Sequence, residues 1–187
     1  FKTMKKVFFV CLCMMAVTLA GAQNIYMTKT GKISFNSRAK SPEKVEADNN
    51  EVSSVFNTQS GDMVFAVLVK SFHFVSALME EHFNENYVES NKYPKSTFKG
   101  KVVNLSAVNF LKDGVYPVNV EGDLTFHGVT RQVKPTGSLT VKGGKIVAVS
   151  KFQMNLKEFN VSIPSLVADK ISKEIDIIVE CNYELKK

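Results

Sequence analysis

Tryptophan is absent from the 187 residues, and cysteine and histidine occur only three times each. Cys11 and Cys13 fall in an apolar N-terminal run, which leaves Cys181 as the lone thiol of the remaining chain. One thiol excludes an internal disulfide, so stability must come from burial and sheet pairing. Cys181 sits on the apolar side of a strand and reads as a buried, inert thiol rather than a nucleophile. His73, His82 and His127 share no metal-ligand spacing and stand beside no obvious nucleophile. Glycine-rich phosphate loops, zinc signatures and nucleophile elbows are missing too, although a triad assembled from distant residues would leave no such motif. The residues therefore imply no metal and no cofactor.

A long apolar run occurs once. From Met4 the text reads as a secretory signal: Lys5 and Lys6, then Val7 to Leu19, then the small residues Ala20-Gly21-Ala22. Cleavage is expected after Ala22, giving a signal peptide within residues 1–22 and one domain over residues 23–187. The three residues before Met4 are expected to be upstream translation or a fragment boundary. The run is too short to span hydrocarbon comfortably, so no transmembrane anchor is expected after cleavage. Neither Cys11 nor Cys13 follows the small residues that a lipid-modified start requires. The expected location is periplasmic or secreted.

Net charge is small once the expected signal is set aside. Without Lys2, Lys5 and Lys6 the basic residues fall from 24 to 21 against 18 acidic ones, a net of about +3. The lysines that remain are spread singly along strands and turns, a solvated surface rather than a nucleic-acid groove. Glu43, Glu46 and Asp48 read as solvated charges in a polar loop over Ser41–Asn50, without the spacing of a cation site.

What the chain does have is alternation. Gly122–Val141 predicts two antiparallel strands meeting at Gly128, where a positive φ has no steric cost. Val118, Val120, Leu124 and Phe126 share one face of the first arm, and Val133, Pro135, Leu139 and Val141 one face of the second. Further strands are expected around Ile33–Phe35, over Glu51–Thr58 and Asp62–Lys70 (a hairpin turning at Ser60-Gly61), and over Phe98–Leu105. Two more follow the Gly143-Gly144 turn and close the chain, the last placing Ile175, Ile177, Val179, Cys181, Tyr183 and Leu185 on one face. The run Met63–Val69 is apolar at every position, which predicts cover on both faces. Phe72–Tyr87 changes period, with apolar residues at three- and four-residue steps and Ser76 as a cap, so one short amphipathic helix is expected. Phe159–Ala168, with Pro164, reads as an irregular crossing. Some eight strands, one helix and no repeats argue an all-β antiparallel barrel or sandwich.

Of the 14 Phe, 11 lie after residue 22, and with no Trp a closed barrel of about eight strands would either fill its interior with these side chains or hold one apolar ligand; periodicity does not choose between the two. Two stretches narrow the choice. HFNENYVESNKYPKSTFKG, His82 to Gly100, and GDLTFHGVTRQVKPTGSL, Gly122 to Leu139, resemble the YceI-like family. The resemblance rests on His82, Lys92, Tyr93, Pro94 and Phe98 in the first motif, and on Gly122, Asp123, Leu124, His127, Gly128, Val129 and Thr130 in the second. It covers nearly all of the chain after the signal. Departures are Tyr87-Val88-Glu89 where two Phe and an Asp are usual, Asn155-Leu156 where Asn-Arg is usual, and Asn160 in place of a glycine.

The resemblance implies an exported lipocalin-like barrel that holds a long apolar lipid, such as an isoprenoid, in a tunnel and catalyses nothing. Alternation and resemblance together nominate Phe35, Phe56, Phe65, Val67, Phe98, Val102, Leu124, Phe126, Phe152 and Val179 as interior ligand contacts. Phe74, Leu78 and Phe83 would form a helical lid or wall. A homodimer is compatible with the pattern. Two other readings stay open at this point: a solid barrel whose loops bind a protein, and a lipid hydrolase or isomerase using His82 with Glu85. His82 by itself reads as a helix residue bonding to a neighbouring loop, and His127 as a corner residue.

Overall fold

In the computed structural model, residues 24–37, 45–165 and 171–186 are described; the expected signal segment lies outside them. The alternating stretches become ten strands: β1 (Ile25–Ser37), β2 (Glu46–Asn57), β3 (Asp62–Leu68), β4 (His73–Phe74), β5 (Lys95–Val102), β6 (Gly114–Phe126), β7 (Val129–Val133), β8 (Thr136–Lys142), β9 (Lys145–Asn155) and β10 (Glu174–Leu185). Setting aside the short β4 and β7, each strand pairs antiparallel with the next, and β10 returns to β1. The result is a closed eight-strand up-and-down barrel. Strand β4 adds to β2, and β7 adds to β6. Among the described residues no helix is long and apolar enough to cross a membrane.

Local chemistry explains the joints. Gly143 and Gly144 take φ of 55° and 75°, the left-handed pair that a two-residue hairpin between β8 and β9 demands. Strand β6 is long enough to carry two neighbours on one edge: Gly114–Asn119 pair with β8, and Gly122–Phe126 pair with β7. The expected second arm is therefore two strands. The break falls at Pro135, which has no N–H for a ladder; its carbonyl accepts from Val120 N–H at 2.9 Å. Beyond the break β7 leaves the wall, and Lys151–Asn155 of β9 pair only with β10.

Two expectations are corrected. Strand β3 is not covered on both faces: Met63 and Val67 are buried, but Val64 and Leu68 are 44 % and 47 % exposed on the outer wall. Nothing among the described residues packs over them, so alternation is present in space although absent from the residue types. The part of the expected loop that is described, from Glu46 on, is strand. Glu46 pairs with Asn36 and Ala47 with Phe35, while Lys32 and Asp48 meet at 3.1 Å. Its buried residues, Ala47 and Asn49, are too small or too polar to show a periodic signal; Asn49 is satisfied by donating to the Leu68 carbonyl at 2.9 Å.

The interior has two halves. One end is solid: Phe56, Met63, Val102, Val118, Leu139, Ile146, Cys181 and Tyr183 form a buried cluster. Tyr183 Oη and Ser54 Oγ share a hydrogen bond of 2.6 Å there, as a buried phenol requires. Burial pushes the Cys181 thiol up to about 12, so it is an inert, protonated group. At the other end a second cluster, which includes Phe35, Phe72, Leu156, Phe159, Ile175 and Ile177, surrounds open space.

Candidate ligand-binding site

The lid over the open half is built from the helical segment between β4 and β5. Ser76 caps helix α1 (Ala77–His82) by accepting from Met79 N–H at 3.4 Å. The Glu80 carboxylate accepts from Phe74 N–H at 3.0 Å and ties the helix to β4. Past His82 the chain widens into a π turn, Phe83–Tyr87, closed by Val88 N–H donating to the Phe83 carbonyl at 3.0 Å. This turn aims Phe83 into the barrel. Its ring stacks on Phe35 at 5.6 Å between centroids and 26° between planes, and meets Phe72 at 5.8 Å and Phe74 at 5.1 Å.

A clasp fixes the far side of the lid. His127, at the corner between β6 and β7, has φ of 49°, and Gly128 has φ of 73°. The His127 ring places Nδ1 at 3.0 Å from the Phe159 carbonyl and Nε2 at 3.0 Å from the Glu89 carboxylate. Tyr93 packs against the same ring with centroids 4.6 Å apart. A Cβ on Gly128 would lie 2.5 Å from the Tyr93 ring, so glycine is required for this approach. His127 is a corner residue that joins three segments, and it does not line the cavity.

Beneath the lid lies a cavity of about 490 Å³, within the range of small-molecule sites. Eleven of the nominated residues line it: Phe35, Phe65, Val67, Phe74, Leu78, Phe83, Phe98, Leu124, Phe126, Phe152 and Val179. Phe56 and Val102 do not; both are fully buried in the solid end, Phe56 against Phe110 and Tyr183. Alternation assigned their face correctly but carries no information about position along the barrel axis. The question of solid core against hollow interior thus has a divided answer, one for each end.

Other lining residues were not nominated. Ile175 and Ile177 share the face of Val179 on β10, a signal that was available in the pattern. Tyr87, Val88 and Val161 had none, because a π turn and an irregular segment obey neither period. Among the described lining residues there is no Lys, Arg, Asp or Glu. Glu85 is outside the lining, and His82 has Asn86 beside its Nδ1 at 3.0 Å, so no His82–Glu85 pair is formed.

The profile of the YceI-like domain matches residues 18–183, almost the whole chain. The chain belongs to the YceI-like family. Solved relatives share the barrel of this YceI-like domain at low identity. A polyisoprenoid binding domain from Saccharophagus degradans, implicated in plant cell wall breakdown, superposes with a TM-score of 0.75 at 14 % identity, covering 87 % of this chain and 99 % of that one. BcnA of Burkholderia cenocepacia gives 0.67 at 17 % identity, with coverage of 82 % and 96 %. The YceI protein of Campylobacter jejuni gives 0.60 at 18 %, with coverage of 79 % and 88 %. No curated protein matches. At such identities the likeness establishes the YceI-like fold, and the chemistry of the site must be argued from its own residues.

Proposed function

We propose that this YceI-like domain is an exported, periplasmic or secreted binding protein that sequesters or carries a long apolar lipid, isoprenoid-like, and catalyses no reaction. The observation that carries the reading is the uncharged, Phe-rich cavity enclosed between the barrel wall and the lid. Such a surface offers a hydrocarbon tail burial and little else. Each methylene withdrawn from water contributes about 0.8 kcal/mol, so roughly ten of them supply about 8 kcal/mol, the free energy of micromolar binding, before the cost of ordering the ligand is subtracted. The polyisoprenoid binding ascribed to the Saccharophagus relative supports the same class of ligand. Among the described lining residues there is no Asp or Glu to pair with His82.

Native mass spectrometry of protein purified without detergent, followed by organic extraction, tests this. A bound long-chain lipid at one per protein is the expected result. An apo mass that stays unchanged after incubation with polyprenyl lipids would overturn the proposal and favour a protein-binding role for the loops.

A further inference from the structure

The non-glycine residues with positive φ among the described ones meet at one place. Glu89, His127 and Asn160 have φ of 45°, 49° and 56°, a region few side chains adopt and one that clusters at switches and ligand clamps. Glu89 follows the π turn of the lid, and His127 turns the corner into β7. Asn160 follows Phe159, whose ring packs on the cavity residue Phe126 at 6.0 Å. The His127 ring joins the three segments, and its side chain is only 9 % exposed. Both ring nitrogens face acceptors: the Phe159 carbonyl at Nδ1 and the Glu89 carboxylate at Nε2, each 3.0 Å away. Neither acceptor can donate, so both contacts are hydrogen bonds only while the ring carries two protons. A neutral ring of either tautomer turns a lone pair on the carbonyl or on the carboxylate, and one of the two bonds becomes a repulsion.

The other charges at the clasp are of different residue types. Lys92 stands 3.7 Å from the Glu89 carboxylate and 4.9 Å over the ring of Tyr93, which packs on His127. Lys70 donates to Asn91 at 2.7 Å. Arg131 of β7 donates to the Thr130 carbonyl, and Lys157 and Glu158, just before Phe159, are exposed. Of these types only histidine ordinarily changes charge between about pH 5 and pH 8. His73, 3.5 Å from Glu80, and His82, beside Asn86, are exposed and pair within residues 73–86.

We propose that Glu89, His127 and the Phe159 carbonyl form a pH-sensitive latch on the lid. The doubly protonated ring holds the lid shut in mildly acidic surroundings, and loss of one proton as pH rises releases it. Release also frees Glu89 from the left-handed backbone that the contact imposes. Control of cargo by the latch rests on the lipid-binding reading above; the latch itself does not.

Hydrogen exchange of the amides of residues 83–93, followed by mass spectrometry and corrected for intrinsic pH dependence, tests this with no ligand present. Val88, Ser90 and Tyr93 N–H donate to the Phe83, Asn84 and Glu89 carbonyls, so opening of the lid exposes them. Their protection in the native protein should fall about tenfold from about pH 5.5 to about pH 8.5, as loss of a charge-assisted bond allows. Glu89→Gln should cancel the change, because an amide accepts from a protonated Nε2 and donates to a bare one. Unchanged exchange of residues 175–183 certifies that the variant is folded. Native protection that is flat over this range overturns the latch. An equally steep fall in Glu89→Gln overturns it too and assigns the effect to His73 or His82. Since no lipid enters the measurement, either failure leaves the lipid-binding reading standing.

Discussion

Gly122→Ala puts the packing of β6 against β5 to a direct test. Gly122 of β6 lies opposite Gly100 of β5, and the Phe98 ring lies across both. A Cβ at position 122 would fall 2.4 Å from the Gly100 Cα, 2.5 Å from the Lys99 carbonyl oxygen and 2.7 Å from Phe98 Cζ. Two of the three obstacles are backbone, so a rotamer change alone cannot relieve the clash. Strands β5 and β6 must separate, and Phe98, a cavity-lining residue, must tip inward. Overpacking of this kind costs about 1–3 kcal/mol. For a domain of this size each kcal/mol lowers Tm by roughly 2–4 °C, so a fall of about 2–12 °C is expected, together with weaker lipid binding as the cavity narrows. Since the chain has no Trp, thermal melts are followed by far-ultraviolet circular dichroism. Gly143→Ala is the contrast: a Cβ there meets nothing within 4 Å, and φ of +55° adds only backbone strain of about 1–2 kcal/mol. That variant should keep full affinity. A Gly122→Ala protein with Tm within about 1 °C of native and unaltered affinity would refute the packing argument.

At the solid end, Tyr183→Phe removes one partner of the Ser54 bond and leaves a nearly inaccessible hydroxyl alone. Urea unfolding should show a loss of about 1–3 kcal/mol, with lipid affinity unchanged because the lesion is remote from the cavity. Cys181 opens the alkaline limb of stability, and the buried Tyr183 phenol, raised for the same reason, joins it at higher pH. The Cys181 thiol moves from an unfolded value of 9.0 to about 12 in the fold because it is buried, so its contribution is complete below pH 9 and is lost as pH rises through about 12. The slope in that window approaches 1.4 kcal/mol per pH unit. Cys181→Ala should flatten the fall in Tm between pH 9 and 11; an unchanged slope would show that the thiol is not the group responsible.

Much of the barrel was legible because its inner face is written in large aliphatic and aromatic residues at a strict period of two. Strands β6, β8 and β10 are the clear cases, and the Gly143-Gly144 turn announced itself by residue type alone. Reading failed where burial and polarity part company. The start of β2 buries Ala47 and Asn49, which look like loop residues, whereas the outer face of β3 exposes Val64 and Leu68, which look like core. Most of the nominated contacts reached the cavity because they share the inward face, yet Phe56 and Val102 share it equally and lie in the plug. Depth along the axis depends on strand stagger, which alternation does not encode. Tyr87 was invisible for another reason: its orientation depends on a π turn, and no periodic template anticipates one inserted residue.

The uneven hydrogen bonding of the wall sets what the vessel can hold. Around the plugged end every wall strand is paired with its neighbours, with bulges in β1 between Met27 and Ile33, and Met63, Val118 and Leu139 make a floor that a tail cannot pass. Toward the lid, β7 pairs only with β6 and residues 151–155 of β9 only with β10, so no ladder joins these two stretches. Widening the barrel there breaks no strand pairing, while deepening it would require dismantling the core. Girth is therefore the adjustable dimension of this container and depth the rigid one, so it can accommodate branched or bent tails more readily than it can lengthen for longer ones.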